Sequence, residues 1–259
     1  MVVNLIEWSN KLLEAERTRI GIEPITQSAK DISLKDAYSI QLEIVNRKLL
    51  NGHKITGKKI GLTSLAMQNL LNVDEPDYGH LLSNMEITEG KTERSSYLKP
   101  KVEGEIAFVL KSPLKGPNVT VKEVLEATDY IVASLEIVDS RIANWQIKLL
   151  DTIADNASSA KYVLGQVKRE VFNVDLPAIE MQLYKNGAFM NEGKGEDVLG
   201  NPASCVAWLV NRLADFDIGV EAGEVILSGA LSAALDAEQG DKFTADFGEL
   251  LGTVELEFV

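Results

Sequence analysis

Residues 100–110 read Pro100-Lys101-Val102-Glu103-Gly104-Glu105-Ile106-Ala107-Phe108-Val109-Leu110. Side chains of a β-strand alternate between its two faces, so Val102, Gly104, Ile106, Phe108 and Leu110 fall on one side and Glu103, Glu105, Ala107 and Val109 on the other. Beyond residue 106 both sides are apolar, as in a strand covered on both faces. Glu103 and Glu105 then lie side by side, about 6–7 Å apart along the strand. Two such carboxylates repel and lose hydration. A divalent cation offsets that cost, and carboxylate ligands suit Mg2+ or Mn2+. Glu136 stands inside a second apolar run, residues 131–138, which also reads as a buried strand. Three acids on two strands can hold one face of an octahedral ion and leave its other positions for water and substrate. A second reading stays open on pattern alone: an edge strand whose acids are solvated or paired with Lys99 and Lys101.

Outward from this stretch, the N-terminal third reads as helical. Leu5, Trp8, Leu12 and Ala15 recur at helical spacing. Ser33 and Asp36 make a capping box ahead of Ala37, Ile40, Ile44 and Val45, and Asn51-Gly52 ends that helix. A short helix is expected over residues 65–71, and Pro76-Asp77-Tyr78-Gly79 has turn chemistry. Thr120 and Glu123 cap another helix. Asn186-Gly187 is a two-residue hairpin signal, and Asn201-Pro202 opens a helix. Strands return at residues 225–229, 243–247 and 254–258. The expected organisation is a helical part over residues 1–90, not an independent domain, packed on a β-rich catalytic part over 91–259.

Composition removes many functions. The 259 residues carry 26 Lys plus Arg against 39 Asp plus Glu, a formal charge of −13, which gives no electrostatic footing for nucleic acid. One cysteine, Cys205, excludes internal disulfides and cysteine-based metal clusters, and two histidines, His53 and His80, exclude a three-histidine site. There is no apolar run long enough for a membrane span and no signal-peptide pattern, so a cytoplasmic location is expected. Carboxylates, lysines and hydroxyls are left to carry the chemistry.

Candidates outside the three acids are weaker singly. Lys58 and Lys59 precede Gly61-Leu62-Thr63-Ser64. A lysine near several acids is an ion-pair partner or an acid–base group, although two solvated lysines before a turn is the commoner case. Asp77 sits in the Pro-flanked stretch, with His80 close by, and its plain alternative is a turn or cap. Asn156, Ser158 and Ser159 can donate to a substrate carboxylate or cap a loop. Gly229 after Ser228 allows close approach to the backbone. Cys205 reads as inert core.

Together, GKKIGLTSLAMQ (57–68), VDEPDYGHL (73–81), PKVEGEIAFVL (100–110), LEIVDSRIANW (135–145), DTIADNASSAKYVLG (151–165), VILSGAL (225–231) and GDKFTADF (240–247) resemble the hydratase/decarboxylase branch of the fumarylacetoacetate hydrolase superfamily. The resemblance implies an α+β fold: a β-rich, mixed, curved sheet with a helical N-terminal part. It implies Glu103, Glu105 and Glu136 as ligands of Mg2+ or Mn2+. Lys59, Asp77 and Ser158 become catalytic, and Leu62, Thr63, Asn156, Ser228 and Gly229 substrate-binding. The activity it implies is hydration of 2-hydroxypenta-2,4-dienoate. Decarboxylation of 2-oxo-3-hexenedioate and hydration of 2-oxohept-4-ene-1,7-dioate are the alternatives. The implied partners are a small 2-oxo or 2-enol acid, further copies of the chain in a pentamer or decamer, and a sister pathway enzyme. Nucleic acid and membrane are not expected. Two positions depart from the familiar pattern: Gly104 between the acids and Ala160 after the serines.

Overall fold

The computed structural model describes residues 3–64, 68, 73 and 75–259. Helices form where the sequence carries their caps. Helix α1, Leu5–Thr18, begins with the Asn4 side chain accepting from the Glu7 amide and buries Trp8, Leu12 and Ala15. A single turn, α2, covers Ile25–Ser28. Helix α3, Leu34–Leu50, has the reciprocal Ser33–Asp36 capping box and ends at Asn51, with Gly52 following at φ +93°. The short helix expected over residues 65–71 lies outside the described residues, apart from Gln68.

The helical part expected up to residue 90 is corrected by two strands within it. β1, Ile55–Gly61, and β2, Asp77–Leu82, pair antiparallel and belong to the main sheet. The segment that reads as a turn at 76–79 is instead the entry to a strand buried along its whole length. Gly79 explains the misreading. A Cβ there would stand 2.4 Å from the Asn156 carbonyl oxygen, so this glycine serves close approach rather than a turn.

The chain continues through β3 (Lys91–Thr92), β4 (Lys101–Leu110), α4 (Val121–Ala127), β5 (Thr128–Val138), α5 (Leu149–Ala154) and β6 (Ser159–Leu164). It ends with β7 (Glu180–Lys185), β8 (Ala188–Lys194), α6 (Pro202–Leu213), β9 (Val225–Ala230), β10 (Leu235–Asp236), β11 (Lys242–Asp246), α7 (Gly248–Leu251) and β12 (Thr253–Phe258). The main sheet has the order β2-β1-β9-β4-β5-β6, with β10 added on β4. It is mixed, because β1 and β9 run parallel while the other pairs are antiparallel. The second sheet has the order β3-β12-β11-β7-β8. Its β7–β8 hairpin turns at Asn186 (φ 54°) and Gly187 (φ 78°), the positive pair a type I′ turn needs.

The α+β class is as expected, and the sheets show why Gly104 is small. A Cβ at 104 would meet Met181 of β7 at 3.0 Å and Ala245 of β11 at 3.5 Å. That face of β4 therefore packs on the second sheet, and Glu103 and Glu105 point to the other. Helix α6 packs on β9 and β1, and α3 packs on α1 and α5. Among the described residues no helix is long and apolar enough to cross a membrane.

Candidate metal centre and active site

The β4–β5 register puts Glu103 directly opposite Glu136 and Glu105 opposite Ser134. Glu105 shares the Glu103 face two residues further on. One carboxylate oxygen from each of Glu103, Glu105 and Glu136 lies within 4.8 Å of the other two. Glu105 and Glu136 are fully buried. Glu105 Oε2 accepts from the Gly229 amide at 2.8 Å, but Glu105 Oε1 and both Glu136 oxygens have no hydrogen-bond partner. Buried carboxylate oxygens without partners are costly. A hard cation bound by oxygens is the chemistry that satisfies three of them at once, so the donor set fits a divalent metal.

Lys59, buried on β1, reaches the same spot. Its Nζ is 3.3 Å from Glu136 Oε2 and donates to the Ala157 carbonyl at 3.2 Å. Burial opposes its charge, yet the carboxylates of Glu136, Asp77, Glu103 and Glu105 outweigh it and hold the ammonium above its ordinary range. Burial has the converse effect on the acids. It pushes Glu103 up to about 7, with Lys59 pulling down and Glu136 and Asp77 adding repulsion. Glu105 and Glu136 are also raised, by burial first.

Asp77 pairs with Gly61 across β1–β2, and Gly61 is the reason the two active groups fit. A Cβ on Gly61 would come within 2.3 Å of Asp77 Oδ1 and 3.3 Å of Lys59 Nζ. Burial raises the Asp77 carboxyl, while Lys59 and a hydrogen bond from the Thr152 hydroxyl counter it. Thr152 Oγ1 is in turn 3.4 Å from Ser158 Oγ. These groups stand on a cavity of about 710 Å³ whose lining includes Lys59, Leu62, Thr63, Asp77, Glu103 and Ser158.

The remaining expected residues are not on the cavity wall. The Ser228 hydroxyl donates to the Ile106 carbonyl at 2.8 Å inside the sheet, so it serves the backbone and does not line the cavity. Asn156 is likewise committed: its Oδ1 accepts from the His80 amide at 2.8 Å and its Nδ2 donates to the His80 carbonyl at 2.9 Å. Gly229, at φ +112°, contributes its amide to Glu105 and leaves room for Thr63, whose Oγ1 a Cβ would meet at 2.3 Å. His80 Nδ1 is 3.0 Å from Gln41 Oε1, and Cys205 is buried in α6. Thr152 and the apolar wall of Trp145, Ile147 and Leu231 escaped the sequence reading. Thr152 had one local signal, its place in the small polar stretch after the acid-bearing strand. The wall had none.

The class this defines is an α+β protein with a buried carboxylate site fit for a hard divalent cation beside a cavity for a small molecule. The sequence model of the fumarylacetoacetate (FAA) hydrolase C-terminal family matches residues 83–259, and the chain belongs to that family. It is 42% identical to 2-hydroxyhexa-2,4-dienoate hydratase of Comamonas testosteroni over 96% of this chain and 95% of that one. It is 41% identical to 2-keto-4-pentenoate hydratase of Paraburkholderia xenovorans, covering 97% and 94% of the two chains. Among solved structures, 4-oxalocrotonate decarboxylase of Pseudomonas putida G7, complexed with magnesium and adipate, superposes with a TM-score of 0.95 at 34% identity, over 98% of this chain and 97% of that one.

Proposed function

We propose that the chain is a metal-dependent hydratase that adds water to 2-hydroxypenta-2,4-dienoate and gives 4-hydroxy-2-oxopentanoate. The observation that carries this is the cluster of Glu103, Glu105 and Glu136, with buried carboxylate oxygens that lack hydrogen bonds, beside Lys59 and a cavity lined by Lys59, Asp77 and Glu103. Relatives named as dienoate hydratases support it. Glu103, Glu105 and Glu136 would hold Mg2+ or Mn2+. When bound, that ion supplies Lewis acidity toward the carboxylate and C2 oxygen of a 2-oxo acid.

The chain's own groups handle protons. Loss of the C2 hydroxyl proton and protonation at C5 convert the dienol to an α,β-unsaturated ketone. Water then adds, with its oxygen to C4 and a proton to C3. Lys59, held as an ammonium, offers positive charge and a proton next to the acids. Asp77, whose carboxyl is biased toward holding a proton, is the partner that gives and retakes one. Ser158, with Thr152 behind it, orients the substrate carboxylate. Assembly as a homo-oligomer (a pentamer or decamer), a complex with a sister pathway enzyme and a cytoplasmic location belong to the same reading.

The second reading is decarboxylation of 2-oxo-3-hexenedioate, favoured by the superposition on 4-oxalocrotonate decarboxylase. Incubating the purified protein with each substrate separates the two. Hydration predicts loss of the dienol absorbance with Mg2+ or Mn2+ and none in EDTA, without CO2 release. Equal rates in EDTA, or CO2 from the dicarboxylate with no dienol consumed, overturn the hydratase assignment.

A further inference from the structure

Between α5 and β6 the backbone takes a form that its side chains resist. Asn156 (φ 54°), Ala157 (φ 51°) and Ser158 (φ 52°) are all left-handed. Residues other than glycine adopt this conformation at an energetic cost, and almost always singly. Three in succession persist only where the surroundings over-determine them, and such strain collects at functional sites. This turn carries two groups of the site. The Ala157 carbonyl accepts from Lys59 Nζ at 3.2 Å, and Ser158 stands on the cavity wall with its Oγ 3.4 Å from Thr152 Oγ1.

Beyond the Asn156 side chain, which is bonded to His80, the turn is held by Arg141. Arg141 Nη2 donates to the Asp155 carbonyl, just before the three residues, and Nη1 donates at 3.0 Å to the Ser159 carbonyl, just after them. Nη1 also donates to the Asp139 carbonyl at 2.7 Å, and the Asp139 amide donates to the Ser158 carbonyl at 2.7 Å. The Asp155 carboxylate accepts from Arg141 Nε at 2.5 Å and from the Arg141 amide at 2.8 Å. Arg141 is buried, yet it belongs neither to the acid cluster nor to the lining of the substrate cavity. It borders a second cavity of about 220 Å³, together with Asn156, Ser159 and the exposed Asn84 and Ser96. A lysine would serve for an ion pair with Asp155 alone. Three carbonyls and a carboxylate oxygen held by one side chain call for the fixed fork of a guanidinium.

Resting on the hydratase reading above, we infer that Arg141 is a positioning residue of the reaction. By gripping the carbonyls on either side of the left-handed turn, it aims the Ser158 hydroxyl and the Ala157 carbonyl into the site without touching substrate or metal.

The test pairs Arg141→Lys with Arg141→Ala. Each is loaded with Mn2+ and assayed on 2-hydroxypenta-2,4-dienoate at a temperature where circular dichroism shows it folded. Arg141→Lys keeps the charge and loses the fork. It should lower kcat/KM at least about thirtyfold, because a misplacement of about 1 Å can cost about a hundredfold. Mn2+ affinity by calorimetry should stay within about threefold, since the three acids set it. Ethylguanidinium supplies the atoms missing from Arg141→Ala, and the second cavity admits it. It should raise that variant's kcat/KM at least about tenfold, and ethylammonium, a charge without the fork, should not. Near-native kcat/KM in folded Arg141→Lys, or equal rescue by ethylammonium, overturns the inference and leaves a working hydratase. Failure of both variants to fold, or loss of Mn2+ binding along with turnover in both, makes Arg141 a residue of the fold alone and also overturns it. A native chain that does not consume the dienoate overturns the hydratase reading itself, and this inference with it.

Discussion

Lys59 keeps its charge inside a sheet because four carboxylates face it, and this single ammonium keeps the acids from repelling one another unopposed. Replacing it with methionine preserves length and removes the charge. Lys59→Met is expected to lower kcat/KM at least about a hundredfold. Mn2+ affinity, followed by calorimetry, should stay within about threefold or tighten, since the ammonium no longer competes for Glu136. Loss of Mn2+ binding along with turnover would make Lys59 a structural residue. At this scale the sequence was legible wherever a residue is costly in its local pattern. Two acids at i and i+2 in an apolar strand announce themselves, as does Glu136 in its own run. Asn156 and Ser228 did not reveal that their hydrogen bonds go to the backbone of His80 and Ile106, because those partners come from distant strands.

Among the elements, β2 carries Asp77 and is held from the side by Asn156, whose amide clasps the backbone of His80. Asn156→Ala removes both bonds and leaves the His80 amide and carbonyl buried without these partners. It is expected to destabilise the fold by about 2–4 kcal/mol, read as a shift in the urea midpoint at unchanged slope. A change below about 0.5 kcal/mol would mean that the clasp contributes nothing to holding β2. Elements with local signals were readable. Ser33 with Asp36, Thr120 with Glu123, and Asn201 with Pro202 each start the helix expected of them. β2 was not, because a Pro-Asp-Tyr-Gly run has turn chemistry, and β1 was legible only as one reading of 57–64, a strand entering a loop, against solvated lysines before a turn. Lys58 is in fact buried, paired with Glu224 at 2.8 Å, and Gly79 is small to admit Asn156. Pairing with β9 and with each other decides in favour of strands where local propensity leaves the matter open.

For the molecule as a whole, the buried imidazole of His80 sets a pH response. Burial and then the charge of Lys58 push its pKa down to about 3 from an ordinary 6.5. Between those values the unfolded chain takes up a proton that the folded chain refuses, so stability falls as pH falls through that window. The slope from this one group approaches about 1.4 kcal/mol per pH unit. The raised carboxyls of the acid cluster act in the opposite sense, so the clean measurement is a difference. The stability of the native chain minus that of His80→Gln should drop steadily from pH 7 to pH 4. A difference that stays flat over that range would mean that His80 titrates alike in both states.

The strand order has a consequence for synthesis. β4 and β5 are consecutive strands and can bring Glu103, Glu105 and Glu136 together by themselves. Lys59 takes its place in the sheet through the parallel pairing of β1 with β9, where it sits opposite Leu227. That register does not exist until residue 227 has been translated, and joining it closes a loop over most of the polypeptide. A nascent chain on the ribosome therefore carries its anionic cluster first and acquires the neutralising lysine only near the end of translation.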